Sequence, residues 1–309
     1  MANKVFKNLS EQVEILKDRG LIINDEESVK QILLKENYFF INGYRHLFLK
    51  EKGSELFKEG TTFDELYAAF IFDRRIRNIF FRYMLIVENN IKSVISYQLS
   101  KKYGYKEKDY LNASNFNQDS LKRRQVNDVI SKMKRQIRVN GSKHTATMHY
   151  INKYGYIPMW ILVKVLSFGI VSELYAILKY EDQKDIADIY GTTSDVLILY
   201  LSMIANFRNL CAHEEILYDY RAQRVIPDSY IHQKLNIEKD FDGYKYGKND
   251  LFALVIMMKT LLTPNEFRSM IYEINYEIEI LDSKITTVPL DDILHKIGFP
   301  SNWKDIIKL

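Results

Sequence analysis

The chain has 309 residues, of which 47% are hydrophobic and 27% are charged, a balance typical of globular proteins. Its 44 basic and 40 acidic residues give a net charge of +4, which permits a nucleic-acid partner but does not by itself argue for one. A single cysteine, Cys211, excludes an internal disulfide and cysteine-based zinc sites, so we expect a reducing, cytoplasmic location.

The N-terminal part of the sequence predicts two helices followed by an irregular aromatic stretch. Ser10 can cap a first helix that runs to Arg19. A second helix is expected from Asp25 or Glu26 to about residue 37. Residues 38–44 are aromatic without a clean period, which favours a turn and a short helix.

Residues 63–103 carry the strongest helical pattern in the chain. Apolar residues recur in steps of three and four around much of the helix, so we expect it to be buried against several others. Asp73 and Arg77 are four residues apart, and so are Glu88 and Lys92. These pairs are expected to be ordinary pairs on the helix surface. The alternative for Glu88, which lies in a very apolar stretch, is a carboxylate that orients a partner cation in the core or near the site.

Residues 118–139 predict an amphipathic helix with a basic side. This side is a candidate surface for an RNA backbone, and the alternative is a solvated charged face. The candidate RNA-binding residues are Lys122, Arg123, Arg124, Lys132, Arg135, Arg138 and Lys143.

The rest of the chain predicts further helices separated by short breaks. They are expected at 158–166, 183–190, 194–213, 249–262, 264–281 and 289–296. The segment 216–241 is irregular and favours loop or short extended pieces. No alternating pattern is long enough to require a sheet, so the sequence predicts an all-α fold. No membrane span is expected, because the best apolar candidate, 159–177, is interrupted by charged and polar residues.

The segment 207–214 places a cation, an amide and an imidazole within two helical turns. Histidine transfers protons near neutral pH, and arginine holds phosphate through a planar fork. Five residues separate Arg208 from His213, a rotation of about 140°, whereas Asn209 and His213 share a face. One copy therefore makes an incomplete pocket, and two copies across a two-fold axis would complete it without a metal or cofactor.

The spacing between arginine and histidine is by itself weak evidence for a catalytic site. Arg138 and His144 repeat it, although the helix-breaking pair Asn140-Gly141 lies between them. His213 could equally be a histidine stabilised by the dipole at a helix end.

Short segments along the whole chain carry a family resemblance. They are 19–23, 38–39, 42–44, 72–77, Glu88, 149–150, 158–160, 167–169, 208–213 and 298–303. In this order they resemble the Abi-like proteins of bacterial abortive infection, the AbiD/AbiF branch, within the HEPN (higher eukaryote and prokaryote nucleotide-binding) superfamily.

The resemblance implies one helical domain over 1–309. Within it we expect a HEPN-like bundle at about 63–282, an N-terminal helical extension over 1–62 and additional C-terminal helices. It also implies an antiviral endoribonuclease that acts without a metal, with Arg208, Asn209 and His213 as catalytic residues at a homodimer interface. Asp73, Arg77 and Glu88 are possible supporting residues. RNA is the expected substrate, and a small RNA is a possible regulator.

One departure from the family pattern lies next to the proposed site. Where we expect a basic residue after the histidine, this chain has Glu214 and Glu215, which would repel phosphate. The two acids favour either an enzyme held in check or a protein that binds RNA without cutting it. Beside the nuclease, two alternatives stay open: a non-catalytic module that binds a small structured RNA, motivated by the basic helix, and a purely structural helical adaptor.

Overall fold

The computed structural model describes residues 5–51, 53–241 and 243–309. Its α-helices confirm the all-α prediction. They are α1 (Leu9–Asp18), α2 (Glu26–Glu36), α3 (Tyr38–Asn42), α4 (Phe63–Tyr103), α5 (Glu107–Tyr110), α6 (Arg123–Asn140), α7 (Thr145–Tyr154), α8 (Met159–Val165), α9 (Phe168–Ala176), α10 (Tyr180–Ile189), α11 (Ser194–Ala212), α12 (Tyr230–Lys234), α13 (Leu251–Leu261), α14 (Pro264–Asp282) and α15 (Leu290–Ile297). Short 3-10 helices lie at Arg45–Leu47, Ala113–Asn115 and Trp303–Lys308, and β1 (Lys239–Asp240) pairs antiparallel with β2 (Gly243–Tyr244).

Side-chain caps decide where several helices begin. The Thr62 hydroxyl accepts a hydrogen bond from the Glu65 amide and the Glu65 carboxylate accepts one from the Thr62 amide, so α4 begins at Phe63 as predicted. The first helix is capped by Asn8 instead of Ser10, because the Asn8 side chain reaches the amide of Glu11. Likewise α11 is capped by Thr193, one residue before the expected cap.

The long helix α4 is the centre of the molecule. It packs against α14, α8, α11, α9, α13 and α10, which together cover most of its circumference. Its buried positions run from Phe63 to Leu99, in agreement with the apolar pattern on more than one side. The buried core is continuous from Val13 in α1 to Ile306 near the C-terminus, so the N-terminal helices share one core with the rest.

One predicted boundary was wrong, and one helix was missed. The helix expected at 118–139 begins only at Arg123, after a turn. The helix expected at 158–166 is present as α8, and the extended backbone at Leu166 and Ser167 separates it from α9. Helix α7 was not predicted: Thr147 is its one fully buried residue, so it carries almost no apolar periodicity.

By length and composition, α11 is the one helix within the described ranges that could cross a membrane. The sequence analysis overlooked it in favour of 159–177. Core helices pass the same test, and the apolar side of α11 packs against α9 and α4.

Candidate functional site

Helix α11 ends in a tight turn that positions His213. The Glu215 amide donates to the carbonyl of Leu210 (3.1 Å), and the Glu214 amide donates to that of Cys211 (3.4 Å). Glu214 has φ of +56°, the left-handed conformation that usually calls for glycine in such a turn. His213 is thus the C-cap residue, immediately after the last helical residue Ala212, and it is exposed to solvent.

A buried polar network holds the chain immediately after this turn. Arg77 donates to the Asp73 carboxylate (2.5 Å) and to the carbonyl of Glu215 (3.0 Å). The same carboxylate accepts from the Tyr44 hydroxyl (2.7 Å) and from the Leu217 amide (3.2 Å). Burial, with the nearby carboxylate, raises the pKa of Tyr44 well above its usual range, so the phenol remains a donor. The alternative of a surface pair is therefore wrong for Asp73 and Arg77, which are almost fully buried.

Arg208 is held by a second group on α4. Its Nε lies 3.5 Å from Oε2 of Glu88, and its guanidinium carbon lies 5.5 Å from the centre of the Phe81 ring. The other Glu88 oxygen accepts from Lys92 (2.6 Å). Glu88 is buried, so here too the surface-pair alternative is wrong, and this carboxylate orients two cations. The Arg208 side chain keeps 30% of its area exposed.

Within one copy the structure does not bring Arg208 and His213 together. Arg208 contacts α4 at Phe81 and Glu88, whereas His213 lies beside Phe70 and Arg74, about three turns away along the same helix. Asn209 and His213 lie on one exposed face of α11, as the spacing predicts, and Asn206 continues that face towards the N-terminus. Asn206, Asn209 and His213 define what we call the α11 stripe.

A cleft of about 440 Å³ opens beside His213. It is lined by Lys35, Glu36, Phe40, Tyr44, Phe70, Arg74, Arg77, Ala212, His213, Glu214 and Ile216. Sequence reasoning missed Arg74 as a site residue, although it lies in the segment 72–77 that carries the family resemblance. Arg74 stacks over Phe70 (4.6 Å) and pairs with both oxygens of Glu36 (3.0 and 2.5 Å). The cleft that His213 lines therefore contains both cations and carboxylates.

The exposed basic residues of α6 differ from the set predicted from the sequence. Five exposed cations share about 120° of the helix, and in the described part of the chain none of them is in an ion pair. They are Arg123, Arg124, Lys134, Arg135 and Arg138, and we call them the α6 basic face. Of the predicted residues, Lys132 lies outside it, paired with Asp128 (2.8 Å) and Glu173 (2.7 Å).

The other two predicted RNA-binding residues lie beyond the ends of α6. Lys122 precedes the helix and lines a separate cleft that also includes Arg224, and Lys143 is exposed in the turn before α7. The second arginine–histidine match is divided between helices, because Arg138 belongs to α6 while His144 precedes α7. The expectation that this pair lacks a common scaffold is confirmed.

Comparison with known proteins gives one family and no individual relative. The family model described as Abi-like protein matches residues 31–219, from α2 to the turn after α11. No curated protein and no solved structure matches the chain. The matched segment contains α4 and α11 with all the contacts of Arg208, His213, Asp73 and Glu88 given above. Because it spans more than half of the 309 residues, the chain belongs to the Abi-like protein family.

Proposed function

We propose that this chain is an abortive-infection endoribonuclease that cleaves RNA without a metal. Its site would be composite, with Arg208, Asn209 and His213 from two copies meeting across a two-fold axis. The observation that carries the proposal is the position of His213: exposed at the end of α11, with its backbone held by the turn and by the Asp73–Arg77 network.

The chemistry requires one base, one acid and a cation. His213 of one copy accepts the proton of the ribose 2′-hydroxyl, whose oxygen attacks the adjacent phosphorus. His213 of the second copy protonates the departing 5′-oxygen, so the products are a 2′,3′-cyclic phosphate and a 5′-hydroxyl. Arg208 steadies the negative charge on the phosphoryl oxygens, and Asn209 holds the imidazole or a phosphate oxygen.

Docking of two α11 stripes would supply what one copy lacks. The stripe is polar and uncharged apart from His213, so two stripes can approach without like-charge repulsion between arginines or acids. Arg208 lies one residue from the stripe and is partly exposed, so its long side chain can reach a phosphate held between the copies. Glu88 stays behind it as a counter-charge.

The experiment compares His213→Ala with His46→Ala and the parent protein. His46 is an exposed histidine outside the site, so it controls for loss of an imidazole as such. We expect His213→Ala to lose cleavage of total RNA in the presence of a chelator, and toxicity in cells, while His46→Ala retains both. Equal cleavage by all three proteins would refute the role of His213, and 3′-hydroxyl products would refute the mechanism.

The unpaired α6 basic face favours a second candidate, an RNA-binding module that does not cleave. In that case Arg124→Glu, Arg135→Glu and Arg138→Glu combined should abolish RNA binding and the cellular phenotype, while His213→Ala leaves both intact. The matched control changes three exposed lysines elsewhere by the same total charge: Lys234→Glu, Lys284→Glu and Lys304→Glu. If both triple variants bind RNA as the parent does, the α6 basic face is not the RNA site.

A further inference from the structure

A continuous series of aromatic rings lies where the chain enters α5 and where α7 meets α8. Ring centres follow one another from Trp160 to Tyr105 (5.8 Å), Tyr156 (5.7 Å), Tyr154 (6.2 Å) and Tyr150 (5.3 Å). The His149 ring then lies 5.6 Å from that of Tyr150 and 6.2 Å from that of Tyr154. We call these six residues the aromatic platform.

The platform is open to solvent. Trp160 and Tyr105 are each 42% exposed, and Tyr154 is 47% exposed. Single exposed apolar residues need no explanation, but contiguous ones on a folded surface usually mark a binding site. Tyr150 also packs against the core, but core packing does not account for the exposed rings of Tyr105, Tyr154 and Trp160.

Hydrogen bonds tie the two segments that carry the rings. The Tyr110 hydroxyl of α5 donates to the carbonyl of Ile157 (2.7 Å), and the Glu107 carboxylate accepts from the amide of the same residue. Gly155 ends α7 with φ of +74°, which turns the chain back towards this contact. The rings on either side of Gly155 therefore keep their spacing without a ligand.

Basic residues outnumber acidic ones around the platform, where the Glu107 carboxylate is bonded to the Ile157 amide, and this balance favours an anionic ligand. Positions 129–172 contain no aspartate or glutamate, whereas lysines or arginines occupy 132, 134, 135, 138, 143, 153 and 164. Two lysines lie on the platform itself: Lys106 is 5.0 Å from the ring centre of Tyr156, and Lys153 is 5.2 Å from that of Tyr154. A ligand that combines flat rings with negative charge fits both features.

A cleft of about 390 Å³ lies between α5 and α6. It is lined by Glu107, Lys108, Leu111, Lys134 and Ile137, and Lys134 belongs to the α6 basic face. The two lysines outnumber the one carboxylate, which already accepts a hydrogen bond from the Ile157 amide. The cleft can therefore accept phosphates of a strand whose bases lie on the platform.

We propose that the aromatic platform binds unpaired bases of single-stranded RNA, which adds to the proposed function the class of RNA that the protein recognises. The proposal rests on RNA being the ligand, as proposed above. Stacking needs the faces of the bases, which a duplex hides, and it tolerates any sequence because every base has a flat face. A second protein could use exposed rings as well, but it would not need a stretch without acidic residues beside them.

Trp160 provides a direct readout, because the chain has two tryptophans and the other, Trp303, is buried. The probe is a short 2′-O-methyl oligonucleotide, which lacks the 2′-hydroxyl that cleavage requires, added to the full-length chain. Stacking on the platform should quench Trp160 fluorescence. An abasic backbone of equal length and charge, and a duplex of the same sequence, should bind at least roughly fivefold more weakly and quench little.

Substitutions can show whether binding depends on the aromatic rings themselves or only on an intact fold. Tyr154→Leu and Trp160→Leu keep apolar bulk and should each weaken binding roughly fivefold or more, while Tyr154→Phe keeps the ring and should bind as the parent does. Tyr276→Leu alters a tyrosine that is 61% exposed on α14 and serves as the matched control. Equal affinity for abasic and base-carrying strands, or unchanged binding by both Leu variants, would overturn the proposal.

The two proposals can fail separately. Loss of cleavage by His213→Ala together with full binding by the Leu variants refutes the platform and leaves the nuclease. Weakened binding by the Leu variants together with full cleavage by His213→Ala refutes the catalytic role of His213 and leaves the platform. A Trp160 signal that ignores RNA but changes with protein concentration would assign the platform to protein contacts and overturn the RNA proposal.

Discussion

Asp73 and Arg77 hold the backbone after His213. Arg77 also lines the cleft, but its guanidinium is paired with Asp73 and bonded to the carbonyl of Glu215. Their ion pair is buried, so removing one partner lowers stability strongly, because it leaves the other charge buried without compensation. Removing the guanidinium leaves the Asp73 carboxylate buried with fewer donors and frees the carbonyl of Glu215.

We therefore expect Arg77→Met to lower the free energy of unfolding by about 3–5 kcal/mol, measured by urea denaturation. Arg75→Met is the matched control on the same helix, because Arg75 is 45% exposed and pairs with Glu277 near the surface (3.0 Å). That pair should be worth less than about 1 kcal/mol. Equal losses from the two variants would contradict the structural role of the buried pair.

For individual residues, the sequence predicted which side chains pair but not whether the pairs are buried. The spacing of four residues correctly paired Asp73 with Arg77 and Glu88 with Lys92, because helix geometry alone brings such side chains together. It could not tell that the pairs are buried, since burial comes from α11 and the turn after it, more than a hundred residues away. The same long-range packing places Arg74 beside His213.

The end of α11 places a residue with a strained backbone next to the proposed catalytic histidine. Glu214 adopts the left-handed conformation that glycine adopts without cost, and its carboxylate lines the cleft beside His213. A residue that is both strained and repels phosphate indicates that this helix end is not optimised for stability or for strong RNA binding.

Glu214→Gly should consequently improve both properties. We expect it to raise the free energy of unfolding by about 0.5–1 kcal/mol, through relief of the left-handed backbone, and to lower the apparent dissociation constant for RNA. Glu215→Gly removes the same charge from an ordinary backbone conformation and should destabilise the protein slightly. A lower stability of Glu214→Gly than of the parent, in the same denaturation assay, would contradict the proposed strain.

Helices were predictable where one side of the sequence is clearly apolar. The bounds of α4 are as predicted, and α14 begins at Pro264 after a capping box between Thr263 and Glu266, because these signals are local. Helix α7 was not predicted because it contributes one buried residue to the core, and its aromatic rings belong to the surface platform. The acid-free stretch 129–172 was a signal in the sequence that could have identified that surface.

At the scale of the whole molecule, three surfaces would share the proposed RNA recognition. The α6 basic face and the aromatic platform lie on neighbouring elements, and the α11 stripe carries the proposed chemistry. Their relation could not be predicted from the sequence, because it depends on how α8, α11 and α14 pack around α4. The residues of the stripe are exposed in the described structure, so they are accessible to the second copy that the proposed composite site requires.

Two copies of the α11 stripe can be cross-linked through a cysteine at position 206. In Asn206→Cys the new thiol would be exposed, whereas burial raises the pKa of the native Cys211 thiol to about 12 and keeps it unreactive. A bifunctional thiol reagent should join two Asn206→Cys chains and should leave Tyr276→Cys, on α14, as single chains.

The most direct test of the composite site is the RNA cleavage rate per chain across a dilution series, with the oligomeric state measured by sedimentation on the same samples. We predict that the rate per chain of the parent protein falls together with its dimer fraction, and that the linked Asn206→Cys dimer keeps its rate at every dilution. A monomeric chain that cleaves at an undiminished rate would refute the composite site.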